Sequence, residues 1–333
     1  MSERLGFVRS DRGASDNGVA PAVTIGLPVY NGGELVARAI ESVLAQTCGD
    51  LELVISDNCS TDSTPEVCKA YARRDPRVVY RKTDRNVGAA ANHSRLVHLA
   101  RGKYFKWISH DDWMEPGFIE ACLPVGEANP DAITVAPIVD VVDPRGKKLQ
   151  SVTSYTGRSG WSERRLDQFR EMMDELTYCD THADGLLMIA YLYGMHRTGL
   201  LRRTRLLMPF ISSDHVLAAE LSLFGRLVEI DRPLSSFTLG TSQHGTTANF
   251  TAWNPAAIQR QLSGTHPGRL QLFFSVRRRH AEYVAAVLRS PLPARDKVLA
   301  ALAATRPARA RLASRATWNR NNRASRLRES GAK

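Results

Sequence analysis

Val23-Thr24-Ile25-Gly26-Leu27-Pro28, a turn at Asn31-Gly32-Gly33, a helical pattern from Glu34 to Gln46, and Leu51-Glu52-Leu53-Val54-Ile55-Ser56 form the stretch whose reading decides the fold. Two short apolar, β-favouring runs flank a segment whose Leu35, Ala39, Val43 and Leu44 fall on one side of a helix. The same alternation continues downstream. Asp57-Asn58-Cys59-Ser60-Thr61-Asp62 is a loop of turn and cap residues, after which Ser63 or Thr64 caps a helix with Pro65 at its first position. Val78-Val79-Tyr80 reads as a third strand, and Asn86-Val87-Gly88 leads into a helix that runs to about Ala100. Tyr104 to Ile108 reads as a fourth strand, Pro116 opens another helix, and Ile133-Thr134-Val135-Ala136 is a fifth strand. Such a βαβα order predicts an α/β fold, a mostly parallel sheet with helices on both faces. In open sheets of this kind ligands lie beyond the carboxyl ends of the strands. The polar clusters at 28–31, 57–62, 86–88 and 110–112 all follow strands, so they are expected to converge.

The sharpest cluster is Ser109-His110-Asp111-Asp112. Two adjacent carboxylates at a strand mouth repel each other and gain nothing from burial. They make sense around something positive or rich in hydroxyls, and a divalent metal carrying a nucleotide diphosphate meets both needs. Acidic doublets in turns are also common, so the doublet alone leaves a plain turn open.

The chain has 333 residues, 43% hydrophobic and 24% charged, which is ordinary globular composition. No apolar run approaches the ~20 residues that span a bilayer. The first 20 residues carry Glu3, Asp11 and Asp16 without an apolar core, so they read as a flexible arm rather than a secretory signal. The five scattered cysteines, without a C-x-x-C pair, read as reduced thiols and point to a cytoplasmic setting. Residues 141–255 are less regular, with helical patterns near 163–176, 199–207 and 214–224 and short strands at 227–230 and 234–239. From about 256 the chain is helical and rich in Arg, Ala and Leu. The net charge of +11 sits in that extension, where residues 268–333 hold sixteen Lys and Arg against three acids. Leu272, Phe273, Phe274 and Val276 lie beside Arg277-Arg278-Arg279. A solvated helix, contact with anionic lipid and contact with nucleic acid all fit this composition, nucleic acid least well.

Taken together, Pro28-Val29-Tyr30-Asn31, Gln46-Thr47, Asp57 to Asp62, Asn86-Val87-Gly88 and His110-Asp111-Asp112 resemble the glycosyltransferase family 2 pattern over residues 22–140. The resemblance implies a GT-A fold, with residues 21–140 as its nucleotide-sugar half, 141–255 as its acceptor half and 256–333 as a basic helical extension. It implies inverting transfer of a sugar (a hexosyltransferase type of reaction) from a nucleotide diphosphate donor, UDP-sugar favoured, to a hydroxyl of a glycan, lipid-linked or small-molecule acceptor, with Mn2+ or Mg2+ as cofactor. By the same resemblance Asp57 accepts the imide N–H of the base, which suits a fixed acceptor. Its plain alternative is an Asx turn. Pro28, Tyr30 and Asn31 flank the base and ribose. Asn86 and Gly88 let the backbone approach the nucleotide, or simply start a helix. Asp62 reads as a turn or capping residue. Asp111 holds ribose hydroxyls or supports the metal, and Asp112 ligates it. The family commonly has Asp-x-Asp, and here His110 takes the first place.

In the second half, Ser212-Ser213-Asp214-His215 resembles the segment in which an acid opens a helix. Asp214 is therefore the candidate general base that takes the acceptor proton, with an ordinary N-cap as the alternative. His244 resembles a later histidine that joins the metal or diphosphate. Asp180, His182 and Asp184 are polar candidates for the acceptor pocket. A sugar nucleotidyltransferase would carry a Gly-rich, basic phosphate loop where this chain has residues 28–33, and a dinucleotide oxidoreductase would need G-x-G-x-x-G there. A catalytically silent nucleotide-sugar-binding or scaffold protein would keep Asp57 and Asp112 without a working base. A basic, partly apolar extension suits an acceptor at the inner face of a membrane.

Overall fold

The computed structural model describes residues 20–152, 161–182, 187–239, 255–265 and 269–305. The elements in order are β1 (Val23–Val29), α1 (Leu35–Leu44), β2 (Leu51–Asp57), α2 (Thr64–Arg74), β3 (Val78–Lys82), α3 (Ala89–Leu99), β4 (Tyr104–Trp107), β5 (Trp113–Met114), α4 (Phe118–Ala128), β6 (Ala132–Val142) and β7 (Lys148–Val152). They continue with α5 (Arg165–His182), α6 (Leu187–Leu192), β8 (Met195–Arg197), α7 (Thr198–Leu201), α8 (Ser213–Phe224), β9 (Arg226–Thr238), α9 (Pro255–Ser263), α10 (Arg269–Arg289) and α11 (Ala294–Ala304). The strands form one sheet in the order β3-β2-β1-β4-β8-β6-β9-β5, with β7 paired to β6. Strands β3, β2, β1 and β4 are mutually parallel, as are β6 and β9. The antiparallel members are β8, β5 and β7.

Side-chain alternation divides the core into two layers. Leu53 and Ile55 of β2 join Ile25 and Leu27 of β1 beneath α1 and α4, while Val54 joins Phe105 and Trp107 of β4 on the face that carries α3. Helix α1 buries Val36, Ala39, Ile40 and Val43, the i, i+3, i+4, i+7 stripe of a surface helix. Leu35, expected on that stripe, is 43% exposed. Pro28 is tolerated inside a central strand because β1 pairs with β4 only as far as Gly26↔Trp107, so the edge that would need its missing N–H is no longer paired.

The helical extension docks on the second half of the sheet. Helix α8 is buried along almost its whole length and packs on α5 and α10. Its Glu220, with no exposed surface, accepts from the Arg205 backbone N–H at 2.8 Å, from Arg205 Nε at 2.9 Å and from Arg289 Nη2 of α10. Glu282 of α10 in turn accepts from Arg205 and from Arg278. Neutralising the fully buried member of such a cluster leaves Arg289 without its carboxylate partner and Arg205 with Glu282 alone. Glu220→Gln is expected to cost about 3 kcal/mol of stability, a fall of roughly 6–12 °C in melting temperature for a domain of this size. A thermal melt followed by circular dichroism checks it, and an unchanged midpoint would deny the cluster this role.

Candidate active site

The loops after β1, β2, β3 and β4 emerge at one edge of the parallel strands and are stitched to one another. After β1 the chain turns through Asn31 and Gly33, both at positive φ (51° and 52°). The Asn31 N–H donates to Ser60 Oγ at 2.9 Å, and Asn31 Oδ1 accepts the Thr61 N–H at 2.9 Å. Asp62 accepts from the Gly33 N–H at 2.9 Å and from the Thr64 N–H at 3.1 Å, which makes it a turn residue that closes the β1 and β2 loops together. Burial raises its carboxyl, but the bonds from Thr64 and Gly33 outweigh this and hold it below the usual carboxylate range.

Asp57 ends β2 fully buried. Its Oδ1 accepts the Ser60 N–H at 2.7 Å and its Oδ2 accepts the Tyr80 hydroxyl at 2.5 Å. The carboxylate thus closes its own loop, through the N–H three residues on rather than the two of an Asx turn, and two of its four acceptor directions are taken. Burial, reinforced by Asp57, pushes the Tyr80 hydroxyl far above its ordinary range and keeps it a donor. Asn86 is exposed, and its Oδ1 accepts from Asn58 Nδ2 at 3.0 Å and from the Gly88 N–H at 2.9 Å. Gly88 has φ +86°, and a Cβ there would lie 2.5 Å from the Leu262 carbonyl oxygen. The close backbone approach at Gly88 is therefore to the end of α9. Pro28 is buried and Tyr30 partly buried above it.

The acid pair follows β4 and is held from three sides. Asp111 and Asp112 are only 6% and 4% exposed. Asp112 Oδ1 accepts the Thr238 N–H at 2.7 Å, and the Asp111 carbonyl accepts the Thr238 hydroxyl at 2.6 Å, so the end of β9 is pinned under the pair. Arg38 of α1 donates to the same Asp111 carbonyl, and its guanidinium stacks 4.3 Å from the centre of the Trp113 ring. Gln46 fixes the following turn by donating to the Glu115 carbonyl at 2.8 Å and accepting the Ile119 N–H at 3.2 Å. His110 packs on the β1 loop, where a Cβ on Gly32 would meet its ring at 2.9 Å.

Beneath the pair lies a polar layer that the motif reading missed. Lys106, 1% exposed inside β4, donates to the Tyr193 carbonyl at 2.5 Å and sits 4.5 Å over the Phe118 ring. Burial brings its ammonium down to about 7, against the pull of Cys122 and Asp112. The Tyr193 hydroxyl bonds Ser109 Oγ at 2.7 Å. Burial and the charges of Asp112, Asp111 and Asp214 push that hydroxyl upward, against the hydrogen bond with Ser109. Asp214 is partly buried in the first turn of α8, with Ser212 rather than Asp214 at the capping position. His244 and Asp184 lie outside the described residues, as do the side chains of Asp180 and His182.

The donor set suits a hard cation. Burial raises the Asp112 carboxyl well above the usual range and Asp111 adds to this, while Thr238, Lys106 and Arg38 oppose it. A carboxylate kept costly in this way gains most from a positive partner. Among the described residues no three His, Cys, Asp or Glu side chains group as ligands. A site with one or two carboxylates fits Mg2+ or Mn2+ that keeps water and takes its other oxygens from a diphosphate.

A 104-residue segment is 38% identical to a chondroitin synthase of Escherichia coli, covering 31% of this chain and 15% of that protein. A 137-residue segment is 29% identical to the putative glycosyltransferase EpsH of Bacillus subtilis, covering 41% of this chain and 39% of EpsH. The matched segments thus span less than half the length of these curated relatives. The fold is similar to that of S. aureus TarS residues 1–349, with a TM-score of 0.58 at 13% identity over 86% of this chain and 71% of that one. Residues 24–188 match the family model described as Glycosyl transferase family 2, and that segment belongs to glycosyl transferase family 2.

Proposed function

We propose that the chain is a metal-dependent, inverting glycosyltransferase that moves a sugar from a nucleoside diphosphate donor to an acceptor hydroxyl. The observation that carries this reading is the buried acid pair after β4, pinned by Thr238 at the edge where the β1, β2 and β3 loops meet. Asp57, Tyr30, Asn31 and Pro28 hold the base and ribose, and Asn86 borders them. Asp111 binds ribose hydroxyls. Asp112 holds Mn2+ or Mg2+, which would neutralise charge on the diphosphate as it leaves. Asp214 takes the proton of the acceptor hydroxyl during in-line attack, opposite the departing diphosphate. Arg38 and Thr238 position the acid pair by fixing the Asp111 carbonyl and Asp112 Oδ1. His244 is a second candidate metal ligand. A lipid-linked or membrane-proximal glycan is the acceptor class that the basic extension fits.

UDP is the first nucleotide to test, because TarS, of similar fold, has been crystallised with UDP and with UDP-GlcNAc. Calorimetric titration of UDP, GDP and dTDP in Mn2+ and in EDTA is expected to show binding of UDP that requires the metal. No binding of any of the three with metal present would remove the donor-site reading.

A further inference from the structure

We propose that the solvent face of α11, extended by the end of α10, docks on an anionic lipid surface. Six large hydrophobic side chains stand exposed among the described residues, and four of them, Leu288, Val298, Leu299 and Leu302, lie on these two helices. Val298 is 63% exposed, Leu302 54% and Leu288 64%. Arg295, Val298, Leu299 and Leu302 are spaced i, i+3, i+4 and i+7, which places them on one side of α11. The opposite side is spent on the fold, with Asp296, Ala300, Ala303 and Ala304 buried. Lys297 Nζ donates to the Leu288 carbonyl at 2.7 Å, which ties the end of α10 to the same patch.

The charge around this apolar row decides its occupant. The Arg295 side chain is 85% exposed beside it. The one acid of α11, Asp296, is buried and faces Arg164 at 3.4 Å, with Arg295 Nε 3.7 Å from the same oxygen. Directly after the helix, residues 306–333 carry nine Lys and Arg and a single acid, Glu329. An apolar row that carries Arg295 and runs in the chain into a strongly basic sequence matches the interface of an anionic bilayer, whose acyl boundary takes the leucines while its headgroups take the arginines. A second copy on a two-fold axis would bring the same cations face to face. Nucleic acid would use the cations and leave the leucines in water. Among the described residues no helix is long and apolar enough to cross a membrane. The expected apolar element at Leu272–Val276 has side chains outside the described residues, and α11 supplies one in its place.

Flotation of the full chain with vesicles tests the proposal without nucleotide or acceptor, so its outcome is independent of the transferase reading. Vesicles of phosphatidylcholine alone are compared with equal parts phosphatidylcholine and phosphatidylglycerol, at low and high salt. The chain is expected to float with the anionic vesicles only and to lose binding as salt rises. The double variant Val298→Ser, Leu302→Ser is expected to bind about tenfold more weakly or worse with its melting temperature unchanged. Leu288→Ser provides an independent weakening should the double variant melt early. Failure to bind anionic vesicles would overturn the proposal, as would binding untouched by these substitutions. So would a dimer mass in light scattering that the double variant loses, or retention on duplex DNA in place of vesicles.

Discussion

Asp112→Asn is expected to abolish metal-dependent UDP binding and to slow sugar transfer on the order of a thousandfold or more, the equivalent of several kcal/mol of lost charge stabilisation. The substitution is close to isosteric, and an asparagine Oδ1 can still accept the Thr238 N–H that Asp112 Oδ1 accepts at 2.7 Å. The pinning of β9 beneath the acid pair therefore survives, and the melting temperature should hold or rise, because a buried carboxylate beside Asp111 becomes a neutral amide. What disappears is the negative charge that makes the site favourable for a cation. Stability retained with binding lost separates a ligand role from a structural one. Calorimetry with UDP in Mn2+ and in EDTA, together with initial rates on the same preparation, makes the measurement. Equal UDP affinity for wild type and variant in Mn2+ would place the metal, if one is used, elsewhere.

The first half of the fold was readable because its signals are local. Strands β1 to β4 and helices α1 to α3 lie within about two residues of their expected bounds, since each is a short periodic run between turn residues. The acid pair was equally plain, as a motif at a strand end. Three kinds of feature escaped. Strands β5 and β8 are two and three residues long, too short to show any period, and exist only because β9, β4 and β6 offer edges to pair with. Strand β9 was expected as two pieces because Asp231-Arg232-Pro233 interrupts its pattern, yet the irregular register against Ile138 absorbs the break and one strand runs from Arg226 to Thr238. The expected helix over 199–207 is confined to Thr198–Leu201, because Leu206 adopts positive φ and Arg205 turns to meet Glu220. At the site, Lys106, Arg38 and Tyr193 matter through contacts with residues far away in sequence. Lys106 did leave a signal, a lysine within an otherwise apolar strand, which implies a buried partner. Tyr193 left none, since its role depends on Ser109 and Lys106, more than eighty residues away in sequence.

Asp214→Asn is expected to lower transfer by roughly 10²- to 10⁴-fold, the range for loss of a general base, while UDP binding in Mn2+ stays as in wild type. The two readouts part because Asp214 opens α8 in the second half of the chain, whereas the proposed nucleotide-binding groups follow β1, β2 and β4. Its position also limits the structural cost. Asp214 is in the first turn and Ser212 holds the capping place, so no side-chain cap is lost. The substitution gives up only the interaction of one charge with the helix dipole, about 0.3–1 kcal/mol. A base acts through proton transfer, so an acceptor with a more acidic hydroxyl should regain part of the lost rate in the variant, which a misfolded site would not allow. Turnover near the wild-type rate would reassign the base. Wild-type protein that binds UDP with metal yet transfers no sugar from any donor to any acceptor would favour a silent nucleotide-sugar-binding protein, and Asp214 would then be only a residue that suits a helix start.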